Sequence, residues 1–289
     1  MLANYFASII VSADRIIHPA HYRPLSLWKY LDVPHRPNKK EVALYEKLLG
    51  KLSPDDRVLI LGATPELRDL VLRLGAAPFV ADVSAHMLNA MQPLMIENSE
   101  RRETLIQKNW LDLDFPDNFF SAIVGDLSFR HLEPASQSVL LEKMRRWLRP
   151  NAKAVFRVHA VNPEYQGNYP AILDEMKKNY DTYGVLTAMS ILLSQLYDAS
   201  TRDQMIDRKG IERGVRDYLS KTNIPFSYRV FLHEFLAKRI ELFSKPLSSQ
   251  TKDELEEIFK MHCAIRQIYK KADYPEAPHY PIYHLQPLK

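Results

Sequence analysis

The stretch RVLILGATPELRDLVLRLGAAPFVADVS, residues 57–84, decides how the chain is read. Arg57 is followed by an unbroken apolar run to Leu61, bounded by a turn and too short for a helix, which predicts a strand buried on both faces. Gly62 comes next, and a glycine there permits the sharp reversal that carries a strand into a helix. Thr64 stands as a helix N-cap, Pro65 suits the first helical position, and Glu66 lies in the positively polarised first turn. The helix is predicted over 65–74. A second strand, in PFVAD, ends at Asp82, twenty residues beyond Gly62. Strand, glycine turn, helix and a second strand closing on an acid form the layout of a crevice whose carboxylate accepts hydrogen bonds from ribose hydroxyls.

The turn also constrains the ligand. In a dinucleotide-binding turn a pyrophosphate rests on the helix N-terminus, and a further glycine lets the backbone come close to it. Here the branched Thr64 stands in the place of that glycine, and Glu66 sets a negative charge beside it. This argues against NAD and an oxidoreductase. It favours a ligand with a ribose, an ammonium and a sulfonium but no phosphate, which is S-adenosylmethionine.

Residues 57–160 resemble the class I, Rossmann-fold S-adenosylmethionine-dependent methyltransferases. The resemblance rests on VLILGATPE for the first motif, VADVSAHML for the second, KNWLDLDFPDNFFSAIVGDLSFRHL for the third and fourth strands, and WLRPNAKAVFRV for the fifth. It implies an α/β fold with a doubly wound, mostly parallel seven-stranded sheet. It also implies a cofactor site made of Gly62, Ala63 and Thr64 in the turn, Asp82 and Val83 after the second strand, and Asn109 at the adenine amino group. Trp110 would cover the adenine ring, and Asp126 and Leu127 would border the site of methyl transfer. Arg36 is a candidate partner for the methionine carboxylate, against a surface ion pair. The chain departs from the family at Ile60, where an acid is common, at Thr64 and Glu66 for glycines, at Asn109 for aspartate and at Asn151 for glycine. Those departures motivate an alternative, a non-catalytic scaffold or S-adenosylmethionine-binding protein that keeps the fold.

The remaining sequence frames this core. Residues 1–50 read as a helical segment covering the cofactor site, 51–165 as the core, and 166–244 as a helical insertion or lid. Residues 245–289 supply a capped last helix and two strands that complete the sheet. Helices are predicted over 84–96 and 134–148. Composition is that of an ordinary folded chain, with 289 residues, 46% hydrophobic and 26% charged. The 39 Lys and Arg against 35 Asp and Glu leave a net charge of +4, too mild to favour a nucleic-acid partner over a small-molecule methyl acceptor. A single cysteine, Cys263, excludes an internal disulfide and fits a cytoplasmic setting. The apolar stretch 183–199 is too short and polar to span a bilayer, and the first residues read as an amphipathic helix and not a signal peptide.

His131, just after the fourth strand, is the candidate catalytic base for an acceptor that reacts with loss of a proton, against a capping or partly exposed histidine. His159 stands at the end of the fifth strand with the same two readings. Tyr165 and Tyr169 are candidates for an acceptor pocket. His18 with His21, and His279 with His284, lack an accompanying carboxylate or cysteine cluster and predict no metal site.

Overall fold

The computed structural model describes residue 28 and residues 31–97, 103–223, 247–270 and 272–288. The first helical segment up to residue 27, with His18 and His21, and the part of the expected helical insertion over 224–244 lie outside the described residues. Helix α1 (Lys39–Leu49) opens on a capping box, in which Asn38 Oδ1 accepts from Glu41 N while Glu41 accepts from Asn38 N. Strand β1 (Arg57–Leu61), α2 (Pro65–Arg73), β2 (Ala77–Asp82) and α3 (Ala85–Met91) follow. Then come β3 (Thr104–Gln107), β4 (Phe120–Asp126), α4 (Pro134–Trp147) and β5 (Leu148–Arg157).

The strands form one seven-stranded sheet in the order β3-β2-β1-β4-β5-β9-β8, where β8 is Cys263–Tyr269 and β9 is Ile282–Pro287. Strand β9 runs antiparallel to both its neighbours and the other contacts are parallel. Val58, Leu59, Ile60 and Leu61 are all buried, as a central parallel strand requires. Two apolar clusters pack on either side of the sheet. One is built around Phe120, Trp147, Phe156 and Phe259, the other around Tyr45, Leu67, Leu70 and Val80.

Two local expectations are corrected. Thr64 holds the N-cap position of α2, but its side chain makes no capping hydrogen bond, so Pro65 and the turn set the helix start. The helix predicted over 84–96 ends as α-helix at Met91 and continues as a single 3-10 turn, Gln92–Leu94. Pro93 explains the change, since it lacks an amide hydrogen and its ring crowds the preceding turn.

Between β5 and the last helix, the chain forms α5 (Tyr169–Tyr183), α6 (Val185–Ser200), a two-strand ribbon β6 (Thr201–Arg202) and β7 (Met205–Ile206), and α7 (Arg208–Lys221). These helices have an apolar cluster of their own, including Ile172, Leu192, Leu196, Ile211 and Leu219. The sheet resumes through α8 (Lys252–His262), whose start carries a second capping box, Thr251 with Glu254. The segment joining β8 and β9 returns to the insertion: Glu276 is buried and accepts hydrogen bonds from Gln195 Nε2 at 2.9 Å and Tyr165 OH at 3.1 Å.

Burial pushes the Glu276 carboxyl up to about 7, against the hydrogen bonds from Gln195 and Tyr165 that favour the charge. An acid whose folded pKa lies above its unfolded value binds more protons when folded. Its contribution to stability is therefore complete below about 4.5 and is lost as the pH rises towards 7. Denaturant midpoints measured from pH 5 to 8 are expected to fall more steeply in the wild type than in Glu276→Gln, and parallel profiles would contradict this.

Candidate functional site

A cavity of about 430 Å³ opens at the carboxyl ends of β1, β2 and β4. It lies where the strand order reverses between β1 and β4, the place where open α/β sheets receive ligands. Its volume is within the range of small-molecule sites.

The turn after β1 supplies Gly62, Ala63 and Thr64 to its wall. Gly62 has φ +103°, a conformation that side chains rarely adopt, and its amide donates to Ala81 O at 2.9 Å. The same carbonyl accepts the Trp110 indole N–H at 2.7 Å. The indole is thus pinned across the ends of β1 and β2, and a β-carbon on Gly62 would lie 3.9 Å from its ring. Asn109 precedes Trp110 and its side-chain oxygen accepts from Leu111 N at 3.1 Å, closing a short 3-10 turn. A carbonyl oxygen keeps a second lone pair for a ligand.

Asp82 lines the cavity at the tip of β2, with Val83 and Ser84. One of its oxygens accepts from Ser84 N at 2.8 Å, which holds the carboxylate toward the start of α3. After β4 the wall continues through Asp126, Leu127, Ser128, Arg130 and His131. Leu127 has φ +54°, a left-handed turn that swings the following 3-10 helix across the crevice. Ser128 Oγ donates to Leu61 O at 2.7 Å and locks that helix to β1.

Beneath Asp126 lies a buried charge network. Arg157 donates to both Asp126 oxygens, at 2.6 and 3.0 Å, and its third nitrogen faces the Glu41 carboxylate at 3.2 and 3.3 Å. Tyr274 OH donates to Glu41 at 2.8 Å. Tyr45 OH donates to Gly125 O at 2.8 Å and accepts from Arg157 N at 2.7 Å, so α1 is tied to the ends of β4 and β5. Burial opposes the charge on Arg157, yet the two carboxylates hold its pKa well above the ordinary arginine value. Both Asp126 oxygens are thereby engaged in setting the floor of the site.

The roof comes from elsewhere in the chain: Trp28, Leu31 and His35 from the segment before α1, Tyr197 from α6, and Leu247. Asp32 secures this segment to α6, because Asp32 N donates to Ser190 Oγ at 3.2 Å and Thr187 Oγ1 donates to Asp32 Oδ2 at 2.5 Å.

Ten of the eleven residues expected at the site line the cavity; Arg36 does not. Its guanidinium pairs with Glu66 at 2.5 Å, and Trp28 Nε1 donates to the same Glu66 oxygen at 3.3 Å. Glu66 therefore anchors the roof to the first turn of α2. With Arg36 beside it, the carboxylate repels an incoming phosphate less than expected, and the pair argues against a pyrophosphate chiefly by occupying the helix start. The two tyrosines expected in an acceptor pocket are also elsewhere. Tyr165 bonds Glu276, and Tyr169 packs its ring against Gly214 of α7. His159 is buried with Nε2 2.8 Å from Asp198 Oδ1 and does not line the cavity, whereas His131 is exposed and does. His279 and His284 belong to separate elements, and among the described residues no group of three His, Cys, Asp or Glu is arranged to hold a metal ion.

Arg130, Tyr197, His35 and Leu247 escaped the sequence reading. Arg130 stands beside His131 in a segment already expected at the crevice, and this position was the available signal. Tyr197 and Leu247 carry none, since their place depends on how the insertion folds back.

Residues 62–151 match the family model for methyltransferase domains. No curated protein matches the chain in sequence. Among similar solved structures, the 1,6-didemethyltoxoflavin N1-methyltransferase of Burkholderia thailandensis, determined with 1,6-didemethyltoxoflavin and S-adenosylhomocysteine, is 13% identical at a TM-score of 0.51. The match covers 99% of this chain and 90% of that one. A Listeria monocytogenes protein provisionally named an S-adenosylmethionine-dependent methyltransferase is 13% identical at 0.52, over 86% of this chain and 96% of that one. A Rhodobacter sphaeroides protein provisionally named a zinc-dependent alcohol dehydrogenase is 15% identical at 0.56, over 91% and 94%. At such identities the likeness is one of fold.

The order of strands with its single reversed member is the class I methyltransferase fold. Within that fold, residues 62–151 are similar to methyltransferase domains.

Proposed function

We propose that the protein transfers a methyl group from S-adenosylmethionine to a small-molecule acceptor. The observation that carries this reading is the convergence of the Gly62 turn, the Asp82 carboxylate and the pinned Trp110 ring on one cavity at the sheet's switch point. Asp82 accepts hydrogen bonds from the ribose hydroxyls. Asn109 and Trp110 bracket the adenine, with Val83 on its other side. Gly62, Ala63 and Thr64 follow the methionyl portion.

Bound here, the sulfonium supplies an electrophilic methyl, and the acceptor's lone pair displaces S-adenosylhomocysteine from it. Leu127 and the 3-10 helix after it border that transfer, and alignment of acceptor and methyl contributes up to ~7–11 kcal/mol to such a displacement. His131 takes the proton when the acceptor's nucleophile carries one. The roof residues exclude water, and the described part of the insertion, residues 166–223, acts as the lid that shapes the acceptor side through Tyr197. The mild net charge supports a small acceptor over a nucleic acid. Among the described residues no helix is long and apolar enough to cross a membrane.

Asp82→Ala tests the ribose assignment. Losing charge-assisted hydrogen bonds costs about 1.5–3 kcal/mol, so S-adenosylhomocysteine is expected to bind about 10- to 150-fold more weakly by calorimetry. Unchanged affinity in a folded variant would show that the sugar lies elsewhere.

A further inference from the structure

The cavity contains a cation that the cofactor assignment does not use. Arg130 is 7% exposed and is one of the residues lining the cavity. Its Nε and Nη2 are buried without a hydrogen-bond partner, although the Arg130 carbonyl accepts from Ser248 N at 2.8 Å. None of the ion pairs described above involves it, in contrast to Arg68 and Arg157, which are fully buried and each make a bidentate pair with a carboxylate. Its guanidinium lies over the face of Tyr197, 5.1 Å from the ring centroid, and is close enough to Tyr280 to interact with it electrostatically. A desolvated guanidinium with unmet donors is unfavourable by itself and complements a planar or tetrahedral oxyanion.

Its neighbours indicate what accompanies that anion. Tyr197 and His35 stand edge to face, with centroids 5.9 Å apart, and Leu132 and Leu247 extend the apolar wall. Arg130 lies on the 3-10 helix after β4, two residues beyond Ser128 and next to His131, whereas the residues assigned to ribose and adenine follow β2 and β3. We infer that Arg130 receives a carboxylate or phosphate on the methyl acceptor, so that the acceptor is an anionic small molecule with an apolar or aromatic body. This rests on the proposed methyltransferase reading and adds the substrate class to it.

The test uses benzoate, phenyl phosphate and neutral benzamide as probes, titrated onto the full chain loaded with S-adenosylhomocysteine and followed by ligand-observed NMR. The anionic probes are expected to bind in preference to benzamide. In Arg130→Met the preference is expected to vanish, with anion affinity falling about 10- to 100-fold, the factor that accompanies loss of charge-assisted hydrogen bonds. Arg130→Lys, which keeps the charge and loses the fork, is expected to retain part of it. Affinity for S-adenosylhomocysteine is expected to stay within about twofold in both variants. Equal binding of charged and neutral probes, or a preference that survives in a folded Arg130→Met, would overturn the inference. So would a parallel drop in S-adenosylhomocysteine affinity, which would mean that the guanidinium holds the cofactor's own carboxylate. If the wild type takes no S-adenosylhomocysteine, the methyltransferase reading fails by itself, and the same probes on the unloaded protein still decide whether Arg130 is an anion site.

Discussion

Arg157→Leu is expected to lower the unfolding free energy by about 3–5 kcal/mol, the cost of stranding a buried carboxylate when its partner is removed. Two carboxylates share this guanidinium, Asp126 through two hydrogen bonds and Glu41 through a third nitrogen, and all three side chains are almost completely buried. The shorter apolar side chain leaves Asp126 and Glu41 without their counterion, so one must take up a proton. The melting temperature is expected to drop by roughly 6–15 °C at neutral pH, with part of the loss recovered in acid, where a carboxyl is more readily protonated. Asp126→Asn combined with Arg157→Leu is expected to cost less than the sum of the single changes, because the groups act as one unit. A shift under about 1 kcal/mol for Arg157→Leu would mean that the network contributes little. The same variant probes the site, since Leu127 N donates to Arg157 O at 2.9 Å and the left-handed turn at Leu127 follows directly from Asp126.

Gly62→Val carries the second large effect. At φ +103° a branched side chain is strained by about 1–3 kcal/mol. Its γ-carbons also extend beyond a β-carbon position already 3.9 Å from Trp110. The turn can relieve this only by moving, and moving it breaks the Gly62 N to Ala81 O bond and displaces the indole that shares that carbonyl. Affinity for S-adenosylhomocysteine is expected to fall by more than the 10- to 150-fold assigned to Asp82→Ala, with a smaller loss of stability by denaturant titration. Normal affinity in this variant would remove the turn from the site.

The sequence made the core legible because its signals are local. Apolar runs of strand length, Gly62 before Pro65, and Asp82 closing the second strand each declare themselves within a few residues, and the first, second and fourth strands emerge close to where expected. The third, Thr104–Gln107, precedes the stretch that carries its motif, and the fifth, Leu148–Arg157, ends before His159. Pro93 carried a local signal too, the loss of a donor inside a helical pattern, and it ends α3 early. Contacts between distant segments were the unreadable part. Arg36 meets Glu66 from 30 residues away, and Arg157 meets Glu41 across 116. No periodicity announces such partners. Arg130 was hidden for a related reason: an arginine in a short loop reads as a surface cation until the insertion helix and Leu247 close over it.

The central claim is that the crevice takes an adenosyl sulfonium without phosphates, and calorimetric titration of the wild type with S-adenosylhomocysteine and, separately, with NADH tests it most directly. The account predicts saturable one-to-one binding of S-adenosylhomocysteine, weakened by Asp82→Ala, and no measurable heat with NADH. Binding of NADH, or silence with S-adenosylhomocysteine in a protein that is folded and monodisperse, would contradict it.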